Sequence, residues 1–321
     1  MSKQYVMPGW LLSGLLYGAA WPSFLTFPTG WLAWIALVPM LLQIRRAASF
    51  RAYLAVTLPV FLLSSILISW WLSYFSPWAI GVIWLTQIPL IYAPFLGLYG
   101  LQRRLGWHRS IVLLPLIWPA WEWFCLRVSD YNLCVGITAY TQSSLPGLVQ
   151  YADLTGMWGI SAWVMGLNVF LALLLDRAQR QRWPLSYLFS RLSLTIGVCV
   201  GIPALYGWYV TELVPQQIVR GRSPVNVALL QTNRNSYEKL TPKTVSGLIN
   251  ELLMLSQKAV TTQPDLLITP EASLPIPLLQ DPLLSRQIRD FVRAVNTPLA
   301  AGFFEWTRQG YYNEAFLFTP N

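Results

Sequence analysis

Apolar residues run almost unbroken through the first two thirds of the chain, in blocks at roughly 10–27, 29–44, 52–72, 78–101, 109–126, 157–175 and 192–210. A helix needs about 20 apolar residues to cross a bilayer, so the pattern predicts about seven membrane-spanning helices. The second block is short and leaves little room for tilt. Pro89, Pro94, Pro115 and Pro119 fall within the fourth and fifth; such prolines are tolerated in a membrane where neighbouring helices satisfy the freed carbonyls. The first block has the look of a signal peptide, but the blocks that follow make it a retained span.

Beyond residue 215 the pattern changes. Val225 to Gln231 reads as an apolar strand, and Thr241-Pro242 as an N-cap with proline at the first helical position. Val245, Leu248, Ile249, Leu252 and Leu253 then form the stripe of an amphipathic helix. A short buried strand at 265–270 stops at Pro270 and delivers Glu271 at its end, and Pro275 and Pro277 keep the following residues extended. Asp281-Pro282 repeats the cap-plus-proline start, with Leu284, Ile288, Phe291, Val292 and Val295 on one face. Pro298–Glu305 and Tyr312–Thr319 read as two strands joined by a turn at Arg308-Gln309-Gly310. The predicted fold class is an α-helical polytopic membrane domain (1–212), a linker (213–224) and a partial α/β domain (225–321). About one hundred residues whose last strand leaves the sheet edge open make a poor closed domain, so the ending at Asn321 reads as premature.

Composition agrees with the membrane reading. Of the 321 residues 55% are hydrophobic and 11% charged, against about 25% charged in a soluble domain. Mean hydropathy is +0.46. The net charge of +9 is then a topology signal. Lys3, then Arg45, Arg46 and Arg51, then Arg103, Arg104 and Arg109, then Arg177, Arg180, Arg182 and Arg191 fall in alternate connections. Basic residues stay on the cytoplasmic side, which predicts an inward N-terminus and an outward C-terminal domain. Aromatic-basic nucleic-acid motifs are missing, so the +9 is not read as a nucleic-acid footprint. The Trp residues, among them Trp70, Trp71, Trp78, Trp121 and Trp123, cluster near span ends as interfacial anchors.

Candidate chemistry is sparse. Cys125, Cys134 and Cys199 form no C-x-x-C pair and His108 is the one histidine, which excludes the usual zinc spacings. Cys125 and Cys199 sit in apolar runs as small hydrophobes. The longest outward loop, 127–156, holds Arg127, Asp130, Tyr140, Gln142 and Asp153, and loops of that length are often functional. Glu122 lies near the end of the fifth block, either as an interfacial carboxylate facing water beside Arg127 or as a functional acid. Glu271 likewise has two readings. It is a loop acid paired with a surface cation, or a reactive group at the carboxyl end of a buried strand, where α/β proteins place chemistry.

Several stretches together resemble a known family. The strand "VNVALLQTN" (225–233), then "DLLITPEASLP" (265–275), "AGFFE" (301–305) and "YYNEAFLF" (311–318), after a seven-span module, look like apolipoprotein N-acyltransferase. "WLAWIALVPML" (31–41), Glu122, "AYTQ" (139–142) and "ADLTGMWGISAWV" (152–164) look like its membrane segments. The resemblance implies a nitrilase-like (CN-hydrolase) α-β-β-α sandwich on the periplasmic side of a bacterial inner membrane. The implied reaction carries an acyl chain from a membrane phospholipid to the N-terminal diacylglyceryl-cysteine of a lipoprotein. The implied machinery is a Glu-Lys-Cys triad in which Glu271 matches the general base, with no metal or diffusible cofactor. The family's Lys and Cys fall beyond Asn321, and Lys239, Lys243 and Lys258 precede Glu271 without matching. Thr269, Thr232 and Cys125 stand where the family commonly has Trp, Gly and Arg. The expectation is therefore a divergent, C-terminally shortened member, inactive alone, or one completed by a separately encoded C-terminal half. The alternative is a catalytically dead membrane protein that binds phospholipid or lipoprotein. A transporter would need inverted repeats and paired intramembrane charges, and no convincing repeat is visible.

Overall fold

The structure is a computed structural model that describes residues 8–22, 27–74, 77–128, 136–214, 223–233, 245–271 and 273–321. The chain forms two compact units, 1–218 and 219–321. The first is helical: α1 (Gly9–Ala19), α2 (Val38–Ile44), α3 (Phe50–Ser69), α4 (Pro77–Leu105), α5 (Trp107–Ile111), α6 (Leu114–Val128), α7 (Ala152–Gln181) and α8 (Leu185–Trp208). Every predicted apolar block holds helix. Among the described residues, three helical stretches are long and apolar enough to cross a membrane: Phe50–Tyr74, Ala152–Gln181 and Leu185–Leu213. α4 is also a continuous helix of 29 residues, and the remaining helices are shorter. Gly156, at φ 63° inside α7, takes a conformation that glycine adopts without steric cost and kinks that helix after its first turn.

The block at 29–44 is not one helix. It splits into a 3-10 turn (Gly30–Trp34) and α2. The break leaves backbone groups that lipid cannot satisfy, and Asn168 of α7 supplies the partners. Its Oδ1 accepts from Leu37 N at 2.8 Å while its Nδ2 donates to Ala33 O at 2.7 Å and to Val164 O at 2.9 Å. Ser13 Oγ of α1 accepts from Met40 N at 3.0 Å. Around this staple lies an aromatic core in which Phe61, Phe95 and Trp118 have ring centroids 4.8–5.9 Å apart. At the other end of α7, buried Asp176 faces two arginines and a histidine. It is paired with Arg45 at the end of α2, with His108 Nε2 of α5 at 2.9 Å and with Arg180 Nε at 3.0 Å.

The second unit is a small mixed sheet with helices on one face. Its elements are β1 (Val227–Leu229), α9 (Val245–Val260), β2 (Leu266–Ile268), β3 (Leu274–Pro277), α10 (Pro282–Val295), β4 (Leu299–Thr307) and β5 (Gly310–Phe318). The Thr241-Pro242 start lies outside the described residues. The Asp281 cap is present, with its carboxylate accepting from Leu283 N and Leu284 N at 3.1 Å. β1, β2 and β4 run parallel, and β5 pairs antiparallel with β4 along its whole length. The other edge of β4 is shared, by β2 at Leu299–Ala300 and by β3 at Phe303–Phe304. Leu267, Leu299, Ala301 and Phe303 bury against Leu248, Leu252, Ile288 and Val292 of the two helices. The register puts Val227, Leu229, Trp306, Tyr311 and Leu317 on the opposite face, and all five are exposed.

Candidate functional site

Glu271 stands where β4 changes neighbours. β2 makes its last rung when Thr269 N donates to Ala300 O at 2.9 Å. Pro270 then has no N–H to continue the ladder, and β3 rejoins β4 only at Leu274. Between them, two hydroxyls serve Gly302 in place of backbone. Gly302 N donates to Thr269 Oγ1 at 3.3 Å and Ser273 Oγ donates to Gly302 O at 3.2 Å, with the two hydroxyl oxygens 2.7 Å apart. This bridge lets the chain lift off the sheet edge without leaving a buried group unpaired. Glu271 is carried out to solvent on top of the bridge.

There its Oε1 accepts a hydrogen bond from Asn313 Nδ2 on β5. The carboxylate borders a cleft of about 280 Å³, lined also by Ala300, Gly302 and Ala315. Ala315 pairs with Gly302, so these small residues share the sheet face away from the helices and leave room above it. The cleft is open, and a carboxylate on its rim can accept a proton from a group entering it. Among the described residues lining it there is neither Lys nor Cys. Asn313 lies inside the "YYNEAFLF" stretch but escapes sequence reasoning, because its reach to Glu271 depends on β5 lying beside β4.

Glu122 sits in the opposite setting. The expectation that it faces water beside Arg127 is corrected. Its residue is 8% exposed, and Arg127 instead stacks over Trp123 with 5.6 Å to the ring centroid. Glu122 Oε1 accepts from Trp118 Nε1 and from Thr138 N, both at 2.8 Å. Thr138 Oγ1 also accepts from Trp118 Nε1 and lies 2.8 Å from Tyr17 OH. Nearby, Gln142 accepts from Trp34 Nε1 and donates to Gly30 O, each at 2.8 Å. A 3-10 turn (Thr138–Gln142) is thereby stitched to α1, α6 and the turn at 30–34. This is a positioning network.

The remaining candidates separate. Asp153 accepts from Tyr206 OH at 2.8 Å and ties α7 to α8. Tyr140 packs edge-on to Trp21. Cys125 and Cys199 are half-buried and free, each on its own helix. Asp130 and Cys134 lie outside the described residues. No cluster of metal-ligating side chains occurs among the described residues. Asp176, which sequence reasoning passed over, had a usable signal, since an ionisable residue inside an apolar run is costly and needs partners.

The apolipoprotein N-acyltransferase N-terminal domain model matches residues 13–170. The chain is 29% identical to the apolipoprotein N-acyltransferase of Chlorobaculum tepidum over 94% of its own length and 56% of that protein. It is 28% identical to that of Geobacter metallireducens, covering 99% and 61%, and 28% identical to that of Thermosynechococcus vestitus, covering 95% and 60%. It thus spans somewhat more than half the length of these curated relatives. With a domain match that takes in Glu122 and the 138–142 turn, and relatives that extend through Glu271, the chain is similar over most of its length to apolipoprotein N-acyltransferases.

Proposed function

We propose that this chain supplies the membrane part and the base-carrying part of an apolipoprotein N-acyltransferase. Its acyl donor is a membrane phospholipid, and its acceptor is the α-amino group of a diacylglyceryl-cysteine at a lipoprotein N-terminus. Glu271 carries the reading. It is a carboxylate lifted from the end of a buried parallel strand into a cleft floored by small residues. In the proposed reaction Glu271 takes the proton of a cysteine thiol. The thiolate adds to the phospholipid ester carbonyl, and the lysophospholipid oxygen leaves with that proton. The acceptor amine then attacks the thioester, Glu271 takes its proton, and the thiolate departs. A lysine stabilises the oxyanion in both steps.

By family resemblance that Lys and Cys fall C-terminal to Asn321, so the transfer draws on sequence beyond residues 1–321, on one chain or on a separately encoded one. The bare apolar sheet face supports a nitrilase-like sandwich whose second sheet would come from that sequence, since exposed apolar patches mark interfaces. Three spanning-length helices and bacterial relatives make this a bacterial membrane protein. The basic loops favour the inner membrane, with the N-terminus cytoplasmic and the sheet unit periplasmic. A second reading, a non-catalytic binder of phospholipid or lipoprotein, is favoured by the absence of Lys and Cys among the described residues of the cleft.

The test uses a strain depleted of its own enzyme, with lipoprotein N-termini read by mass spectrometry. Residues 1–321 alone give diacylated product, and adding the C-terminal part of the Chlorobaculum tepidum relative gives triacylated product that Glu271→Gln abolishes. Triacylation by 1–321 alone, or full activity with Glu271→Gln, overturns the proposal. No product in either arm favours the binder.

A further inference from the structure

A second site lies between α7 and α8, both of spanning length and apolarity. A groove of about 470 Å³ runs between them, within the size range of small-molecule sites. Its inner part is apolar, with Phe170 and Leu174 from α7 facing Leu194 and Val198 from α8. Its outer part is cationic, with Arg177 on α7 and Arg191 on α8. The spacing explains the polarity. Phe170, Leu174 and Arg177 recur on one helical face, as do Arg191, Leu194 and Val198. The helices run antiparallel through a short turn, so both arginines emerge at the same end. From each arginine to its deepest apolar partner is seven residues, about 10 Å of helix.

Neither arginine is matched by a carboxylate among the described residues. They are held by neutral groups. Arg191 donates to Tyr187 OH from Nε at 3.0 Å and from Nη2 at 2.7 Å. Arg177 lies over the Trp183 ring at 5.8 Å. Trp and Tyr are the residues that settle at headgroup depth. A pair of uncompensated guanidinium groups over an apolar slot in a membrane-spanning helix pair suits one ligand class. That is a lipid with an anionic phosphate headgroup and an acyl chain.

We propose that the α7–α8 groove binds an anionic phospholipid, with its phosphate on Arg177 and Arg191 and an acyl chain along Phe170, Leu174, Leu194 and Val198. The site does not depend on the acyl-transfer reading. Ser161, beside the buried Glu122 turn, lies 16 residues up α7 from Arg177, about 24 Å by helical rise. By the basic-loop pattern this end faces the cytoplasmic leaflet.

The test is native mass spectrometry of the 321-residue protein in detergent, offered palmitoyl-oleoyl phosphatidylglycerol or phosphatidylcholine. Phosphatidylglycerol is retained about tenfold over phosphatidylcholine, the scale expected for two arginines at a headgroup. Arg177→Gln with Arg191→Gln brings the ratio close to one. Arg182→Gln, exposed in the same turn but off the groove, leaves it unchanged. Leu194→Trp fills the slot from a position already 60% exposed and lowers phosphatidylglycerol retention several-fold with both arginines intact. Equal retention of the two lipids, a ratio unmoved by the double change, an Arg182→Gln loss as large as the double variant's, or full displacement by inorganic phosphate overturns the proposal.

Discussion

The two acids most in question, Glu122 and Glu271, sit in regions built on opposite plans. In the helical unit the polar network around Glu122 is enclosed. Glu122, Thr138, Gln142 and Asn168 are buried, and each is bonded to a backbone group or side chain from a distant segment. In the sheet unit the helices cover one face, while the other is bare and carries Glu271 at its open cleft. A buried carboxylate with fixed donors serves the fold. An exposed one, held above a roomy floor by a hydroxyl bridge, is placed for use. If that division holds, substitutions should cost stability in the first region and function in the second.

The largest loss falls on Glu122. Glu122→Ala strands Thr138 N in a buried site, leaves Trp118 Nε1 only Thr138 Oγ1, and opens a cavity; at 1–3 kcal/mol for the orphaned donor, with the cavity added, the cost is about 3 kcal/mol. Glu122→Gln keeps an acceptor at Oε1 and loses much less. Thermal unfolding in detergent reads the difference. An equal loss in the two variants would mean that charge, not the acceptor, holds the turn at 138–142. Asp176→Ala follows, because it leaves Arg45, His108 and Arg180 facing one another. Breaking a buried pair costs 3–5 kcal/mol. Two of these three partners, His108 and Arg180, are about half exposed, and solvent screening reduces the expected cost to about 2 kcal/mol. Asp176→Asn keeps one accepting oxygen but puts an NH2 donor in place of the other, and so recovers only part of it.

How legible these features were follows the range of the interactions. Glu271 and the Asp281 cap could be read because each depends on neighbours: Pro270 ends a short apolar strand, and Pro282 follows a capping acid. The helical blocks were legible for the same reason. The break at 35–37 was not, because what makes it tolerable is Asn168, more than 130 residues away. Of the two readings of Glu122, the water-facing one failed similarly. Arg127 is near in sequence, but Thr138 reaches the carboxylate once the chain folds back. The residues around Pro275 read as extended; that they form a strand on β4 depends on a pairing no local pattern encodes.

A smaller effect tests the bridge beneath Glu271. Thr269→Val keeps the shape and deletes the oxygen that accepts from Gly302 N. One buried donor is left without its partner, for a cost of about 1–2 kcal/mol. The effect is local, so it should appear as faster hydrogen exchange at Gly302 and at residues 270–274, with the α9–α10 side of the sheet unchanged. Thr269→Ser keeps the hydroxyl and restores protection. If Thr269→Val leaves exchange unaltered, the hydroxyl bridge does not hold the loop.

The smallest expected stability change is the most telling. Glu271→Gln alters an exposed side chain whose bond to Asn313 survives, because the amide oxygen still accepts. Exposed substitutions of this kind stay within about 0.5 kcal/mol. Set against Glu122→Ala, the contrast should be several-fold in stability and reversed in activity once the C-terminal part of a relative is supplied. Asn313→Ala sharpens it further. Releasing the carboxylate from its one described partner leaves the proton-accepting group in place but lets its side chain rotate. Rate should fall less than with Glu271→Gln, with substrate affinity little changed. If Asn313→Ala matches Glu271→Gln in rate while stability stays level, the pair acts as one unit. If Glu271→Gln unfolds the sheet unit, Glu271 belongs with Glu122 among the acids that hold structure, and the contrast between the two regions fails.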